Sequence, residues 1–99
     1  MIFYNVTINI EASVLSEWLD WMKHEHIPEV LATGYFVSGR ICRLLVEEES
    51  GVTYSIQYGC ESLEKLKEYQ EKCAPELQKK HNKKFEGKFV AFRSVMEEV

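Results

Sequence analysis

Cysteine and proline are scarce in this chain, and long apolar runs are missing. The three cysteines, Cys42, Cys60 and Cys73, are odd in number and widely spaced, which argues against a disulfide framework or a zinc site. We expect them to be buried and to act as small hydrophobes. No stretch approaches the roughly 18 apolar residues of a membrane span, and no basic, apolar leader opens the chain. These features predict a cytoplasmic protein without membrane association.

A strong charge of either sign is also missing. The net charge of −4 gives no reason to expect nucleic-acid binding. No glycine-rich phosphate loop, nucleophile elbow or pair of catalytic carboxylates is found. What is present is 45% hydrophobic and 12% aromatic content over 99 residues, which predicts a single domain spanning residues 1–99.

The order of the elements follows from apolar periodicity and from capping residues. Residues 2–10 alternate as a strand, Ser13 precedes an amphipathic helix that Pro28 ends, and Gly34 closes a short helix over 28–32. Residues 35–47 and 52–58 read as a hairpin, Ser62 precedes a second long helix that Pro75 kinks or restarts, and residues 85–96 form a last strand. The order β-α-β-β-α-β predicts an α+β, ferredoxin-like fold with an antiparallel sheet and both helices on one face.

The second face of this sheet predicts an assembly. Strands one and three place polar residues on that face, whereas the second and last strands are apolar on both sides. In the second strand Val37, Ile41 and Leu45 face one way, and Phe36, Cys42, Leu44 and Val46 face the other. In the last strand Phe85 and Phe89 lie opposite Val90, Phe92 and Met96. A sheet with one wet face should alternate more cleanly. We therefore expect two sheets to pack face to face in a homodimer.

Several short strings together resemble a known family. They are Trp18-x-x-Trp21, the stretch from His26-Ile27-Pro28 to Thr33-Gly34-x-Phe36, the acidic run 47–49, Tyr54-x-x-Gln57-Tyr58, Ala74-Pro75 and Phe89-x-Ala91-Phe92-Arg93. Over essentially the whole chain they resemble the small bacterial family called domain of unknown function 4286, within the dimeric α+β barrel superfamily. The resemblance implies a dimer with a pocket between sheet and helices in each subunit, and it implies no particular activity.

The superfamily includes cofactor-free monooxygenases, haem-degrading enzymes, lactone isomerases and stress-responsive proteins. Its haem-degrading members carry an Asn on strand one, a Trp near strand three and a His on the second helix. This chain has Asn5 and Asn9 on strand one, but both tryptophans lie on the first helix, and His81 falls in a lysine-rich segment that we expect to be solvated. We therefore expect no haem and no other cofactor.

His26 is the best candidate for a catalytic residue. On a helical wheel it falls with Leu15, Leu19 and Met22 and so points at the sheet, where it can act as acid or base or bind a ligand. The alternative is a structural histidine that binds carbonyl groups freed at the helix end by Pro28. His24 diverges from His26, so the spacing does not favour a metal site.

The remaining ligand-binding candidates are aromatic or basic. Tyr54 and Tyr58 face the helices near Trp18 and Met22 and either line a pocket or belong to the core. Arg43, if buried, needs an anionic partner, and the alternative is exposure at the end of the sheet. Arg40 and Arg93 take that part only if a bulge shifts the register. The lysines over 79–88 form either a solvated helix end or a patch that steers an anion.

Three functions remain open at this stage. The first is a small-molecule binding or sensing module for a flat, partly apolar, weakly anionic ligand. The second is a cofactor-independent monooxygenase- or isomerase-like enzyme with His26 as acid/base and Tyr54 or Arg43 orienting the substrate. The third is a structural partner protein.

Overall fold

Four antiparallel strands form one sheet in the order β2-β3-β1-β4. A computed structural model describes residues 1–99. The strands are β1 (Ile2–Ile10), β2 (Ser38–Arg43), β3 (Val52–Cys60) and β4 (Phe89–Glu97). The central strand β1 pairs with both β3 and β4, so that Ile8 lies opposite Tyr54 on one side and Ala91 on the other. This is the predicted ferredoxin-like α+β topology, and it is confirmed.

The helices supply the second layer. They are α1 (Leu15–Trp21), which follows a short 3₁₀ turn, then α2 (Ile27–Ala32), α3 (Leu63–Lys72) and α4 (Ala74–Lys84). Their apolar side chains pack with one face of the sheet into a core that includes Ile10, Ile56, Trp18, Val30 and Leu66. No helix is both long enough and apolar enough to cross a membrane.

Proline and serine residues mark the boundaries of the helices. Between α1 and α2, residues Met22–His26 form a π turn, and the Ile27 N–H donates to the Met22 carbonyl. Pro28 follows at the start of α2 and has no N–H, which explains why the regular hydrogen-bond ladder gives way here. Ser62 caps α3 by accepting from the Lys65 N–H at 3.2 Å, as predicted. The predicted restart at Pro75 is the break between α3 and α4.

The second strand is shorter than the predicted 35–47. After Gly34, which has φ +84°, Phe36 enters the core, with its ring centroid 4.7 Å from that of Tyr69. Leu44 still donates its N–H to the Thr53 carbonyl at 2.9 Å, and beyond it the regular pairing ends and Glu48 folds back onto Thr53. The Thr53 N–H donates to one oxygen of this carboxylate at 3.0 Å, and the Thr53 hydroxyl donates to the other.

The last strand also begins later than the predicted residue 85. Phe85 ends α4 and is buried in the core, and the chain then turns through Gly87, which has φ +74°, before β4. The predicted opposition of Phe85 to the far-face residues of β4 is therefore wrong, whereas Phe89 does lie on the helix side and is half-buried.

The far face of the sheet, which carries no helix, is polar in the middle and apolar along β4. A hydrogen-bonded stripe crosses it from Arg40 through Gln57 and Ser55 to Asn5 and Ser94. Along β4 the exposed fractions are 70% for Val90, 65% for Phe92 and 42% for Met96. The predicted apolar second face is thus present on β4 only, since β2 is short and Phe36 belongs to the core.

The cysteines differ from one another in exposure. Cys60 is buried and Cys73 is half-buried, as expected for small hydrophobes. Cys42 is exposed, because it lies on the far face of the edge strand β2. The expectation of a buried thiol is therefore wrong for Cys42.

Candidate ligand-binding cavity

A small cavity lies between the helix layer and the sheet. Its volume is about 40 Å³, and eleven of its fifteen lining residues are hydrophobic. This is room for a few water molecules or a small chemical group, well below the roughly 300–1,000 Å³ of a pocket that encloses a drug-sized ligand. The apolar walls include these residues from both layers: Val6, Ile8, Met22, Val30, Ile56 and Leu77.

His26, the last residue of the π turn, forms part of this cavity wall. Its ring stacks on Trp21 with the centroids 4.9 Å apart. Its Nδ1 is buried and has no hydrogen-bond partner in the structure, so His26 does not bind the carbonyl groups freed by Pro28 through that atom. A buried polar atom without a protein partner costs free energy, and a water molecule or a ligand group in the adjoining cavity can supply the missing partner.

His81 lies across from His26 and belongs to the same cluster. The two ring centroids are 5.8 Å apart, and both residues line the cavity. His81 is only 5% exposed, so the expectation that it is solvated is wrong. The lysines around it point outward while the α4 spacing of Leu77, His81 and Phe85 puts these three on the buried side.

The indole of Trp18 determines the tautomer of His81. Trp18 Nε1–H donates to His81 Nε2 at 2.9 Å, and Trp18 is fully buried. Because an indole nitrogen only donates, His81 Nε2 must be the acceptor, and the ring proton of the neutral His81 lies on Nδ1. Protonation of Nε2 would place two donors against each other and break this bond.

The half-buried His26 and the buried His81 are both neutral at pH 7, since the pKa of each lies below its ordinary value. Burial, followed by the proximity of His81, lowers the pKa of His26 to about 4. Burial also lowers the pKa of His81, with Arg93 acting in the same direction and a hydrogen bond to Asn82 opposing it. A neutral imidazole with an unused nitrogen can accept a proton from a ligand or hydrogen-bond to it.

The structure brings together half of the residues singled out from the sequence. Met22, His26 and Tyr58 line the cavity. Trp18 and Tyr54 instead pack beside it in the core, with their ring centroids 5.2 Å apart. Arg43 is exposed at the end of β2, which is the alternative considered for it above.

The arginine of the cavity is Arg93, which needs no bulge to reach it. In the regular register of β4, Arg93 pairs with Val6 and lies on the helix side of the sheet. Other lining residues that sequence reasoning left out are Tyr4, Tyr69 and His81. Each lies on an apolar face by simple periodicity, so the signal was present, but it did not distinguish a cavity wall from a packed core.

Ion pairs surround the outside of this region. Lys80 pairs with Glu29 at 2.8 Å, and Lys84 lies 3.6 Å from Glu17. These pairs join α4 to α2 and α1 through exposed side chains, so they contribute little stability. Two of the five lysines over 79–88 are therefore balanced by carboxylates of neighbouring helices, and all of these ion pairs are exposed, which favours the interpretation of the run as a solvated helix end.

The chain belongs to the family described as domain of unknown function (DUF4286), whose model matches residues 1–99. The family resemblance inferred from the sequence is thereby confirmed. No curated protein matches the chain.

Solved structures with the same fold share little sequence with it. A protein of the ethyl tert-butyl ether d (EthD) family from Bacillus halodurans is 15% identical, with a TM-score of 0.74 and full coverage of both chains. A dimeric ferredoxin-like protein from an uncultured marine organism is 18% identical, with a TM-score of 0.72 over 100% of this chain and 95% of that one. An antibiotic biosynthesis monooxygenase is 10% identical, with a TM-score of 0.69 over 100% and 99%. At such identities the likeness shows the fold alone.

Proposed function

We propose that the protein is a small-molecule binding or sensing module whose ligand enters the cavity between helices and sheet. The observation that carries this proposal is the buried, unpartnered Nδ1 of His26 on the wall of that cavity. An apolar cleft with a few convergent polar groups is the usual form of a ligand site. A core built only for stability gains nothing from an unpaired polar atom.

The module acts, in this proposal, as a homodimer in the cytoplasm. Phe92 and Val90 form an exposed apolar strip on the far face, and the polar side chains in the middle of that face hydrogen-bond to one another. A structural neighbour of the same fold is described as dimeric, which supports the same assembly here. The free, exposed thiol of Cys42 suits a reducing compartment.

A second candidate is a cofactor-independent enzyme with His26 as acid/base. It is favoured by the neutral state of His26, since a neutral imidazole is the form that accepts a proton. One neighbour is described as an antibiotic biosynthesis monooxygenase, which makes this class worth testing. The variant His26→Gln separates the two functions: a binder keeps most of its affinity, whereas an enzyme that depends on this proton transfer loses roughly 10²–10⁴ in rate.

Native mass spectrometry of protein purified gently from its own host tests the binding proposal. We expect a mass excess per subunit from a bound small molecule. The variant Ala91→Leu places extra methylenes in the cavity wall and should abolish this excess, while Ala32→Leu, at an exposed position of α2, should retain it. If Ala91→Leu fails to fold, Ala91→Val is the milder replacement.

Two results contradict the proposal. One is wild-type protein that carries no extra mass and is not stabilised by any compound of a small-molecule library. The other is a bound species that Ala91→Leu and Ala32→Leu retain equally, because that ligand must then lie outside the cavity.

Sedimentation velocity tests the dimer. Burying a phenylalanine contributes about 1.5–3 kcal/mol, and a two-fold interface contains it twice, so Phe92→Lys should weaken dimerisation by at least about 100-fold. Leu63→Lys makes the same change at a residue of α3 that is 47% exposed, and it should leave the dimer intact. A wild-type monomer at micromolar concentration contradicts the assembly.

A further inference from the structure

Three tyrosines meet at the cavity from three different elements. Tyr4 comes from β1, Tyr58 from β3 and Tyr69 from α3, and each is at most 4% exposed. The ring centroid of Tyr4 lies 6.2 Å from that of Tyr58 and 6.1 Å from that of Tyr69. All three residues line the same 40 Å³ of space.

The hydroxyl groups of these tyrosines are the hydrogen-bond donors that the three residues bring to the cavity wall. None of them makes a side-chain hydrogen bond within the chain, and yet His26 Nδ1 is the only side-chain polar atom that is both sealed off and without a partner. The three hydroxyls therefore each have some accessible surface, and the residues that carry them line the cavity. Burial also raises the pKa of Tyr58 and of Tyr69, so both phenols keep their protons and remain donors at physiological pH.

The only formal charge on the cavity wall is positive. Arg93 lines it and takes part in none of the ion pairs of the chain. No aspartate or glutamate is among the lining residues. The charge of Arg93 opposes the rise in the pKa of Tyr69 and adds to the lowering of the pKa of His81, so it acts on both of these cavity residues. A guanidinium beside several hydroxyl donors is a combination that favours a negatively charged oxygen.

We propose that this tyrosine group and Arg93 bind the carboxylate of a small organic acid. The inference rests on the proposed binding function and names the class of ligand. A buried carboxylate needs hydrogen-bond donors and a counter-charge to replace its water, and the phenols and the guanidinium are of these two kinds. The volume of about 40 Å³ admits the carboxylate and a short chain, whose apolar part suits the walls formed by Val6 and Ile56.

The test compares acids with their uncharged amides. Acetate and butyrate are titrated at pH 7.5 and followed by protein NMR chemical shifts, with acetamide and butyramide as controls of nearly the same shape. We expect both acids to bind with millimolar affinity, as befits ligands of so few atoms, and to bind at least about tenfold more tightly than the amides.

Three variants locate the binding. Tyr58→Phe and Tyr69→Phe keep the rings and remove one donor each. We expect each to weaken butyrate binding by about tenfold and butyramide binding by less, because the uncharged carbonyl of the amide accepts a weaker hydrogen bond. Tyr35→Phe, which removes the hydroxyl of a half-buried tyrosine outside the cavity, is the matched control and should change nothing. Arg93→Gln lies at the exposed rim, so it tests the charge even if a core variant fails to fold; it should abolish the preference for acid over amide.

Acids and amides that bind equally, or Arg93→Gln protein that keeps the preference, overturn the inference. So does the failure of both acids to shift any resonance of residues on the cavity wall. None of these results contradicts the binding function itself. That function is supported if the protein binds another ligand whose binding Ala91→Leu abolishes, and it is contradicted if no such ligand is found.

Discussion

Acid should destabilise the folded protein through His26. In the folded state burial lowers the pKa of this ring to about 4, from the ordinary value of 6.5 that it has in the unfolded chain. As the pH falls through 6.5, the unfolded chain therefore takes up a proton that the folded protein does not, and the free energy of unfolding decreases. The decrease continues until the pH reaches about 4, where the folded state also binds the proton.

The size of this effect follows from the two pKa values. Each pH unit between them costs about 1.4 kcal/mol, so at pH 5 the loss from His26 alone is about 2 kcal/mol relative to pH 7.5. His81 adds to it, since burial lowers its pKa as well and since protonation of Nε2 breaks the bond from Trp18. For a domain of this size 2 kcal/mol is a substantial part of the total stability.

Urea unfolding at pH 7.5 and pH 5, at one fixed protein concentration, measures the loss. His26→Gln removes the titrating ring, so the difference between the two pH values should shrink by about 2 kcal/mol. His24→Gln replaces an exposed histidine and keeps His26 and His81, so the loss of stability that these two cause at pH 5 should persist in it. An unchanged pH dependence in His26→Gln protein would refute the assignment of His26 as a buried, neutral base.

Three further substitutions test the packing around the site. Trp18→Phe leaves His81 Nε2 buried without its donor and should cost about 1–3 kcal/mol of unfolding free energy, measured by urea denaturation. Ser62→Ala removes the hydroxyl that caps α3 and should cost about 1 kcal/mol in the same assay, with no change at the cavity. Gly51→Ala would place a Cβ 2.3 Å from the side-chain oxygen of Asn9, at a residue with φ +69°. The free energy of unfolding should therefore fall by more than about 1 kcal/mol. An unchanged melting temperature would show that the hairpin tolerates the strain.

The fold was predictable because its signals are local. The alternation in β1, the Ser62 cap and the break before Pro75 each depend on a few neighbouring residues, and all three are present in the structure. The lengths of β2 and β4 were not predictable in this way. The start of β2 depends on a contact between residues distant along the chain, Phe36 on Tyr69, and the start of β4 follows the buried Phe85 and the turn at Gly87, none of which periodicity reports.

The site was harder to predict, because periodicity identifies the buried face of an element and not the gaps left when faces meet. His81 shows that the buried face of a helix can itself be missed: four lysines lie within four residues of it, and their charge obscured its regular spacing from Leu77 and Phe85. The tyrosines show why the gaps between packed faces cannot be predicted. A tyrosine on an apolar face counts as core because its ring dominates its volume, and whether its hydroxyl finds a protein partner depends on how β1, β3 and α3 pack together. In this protein Tyr4, Tyr58 and Tyr69 belong to the buried core and also line the cavity, so the same residues serve stability and supply the hydroxyl groups of the proposed site.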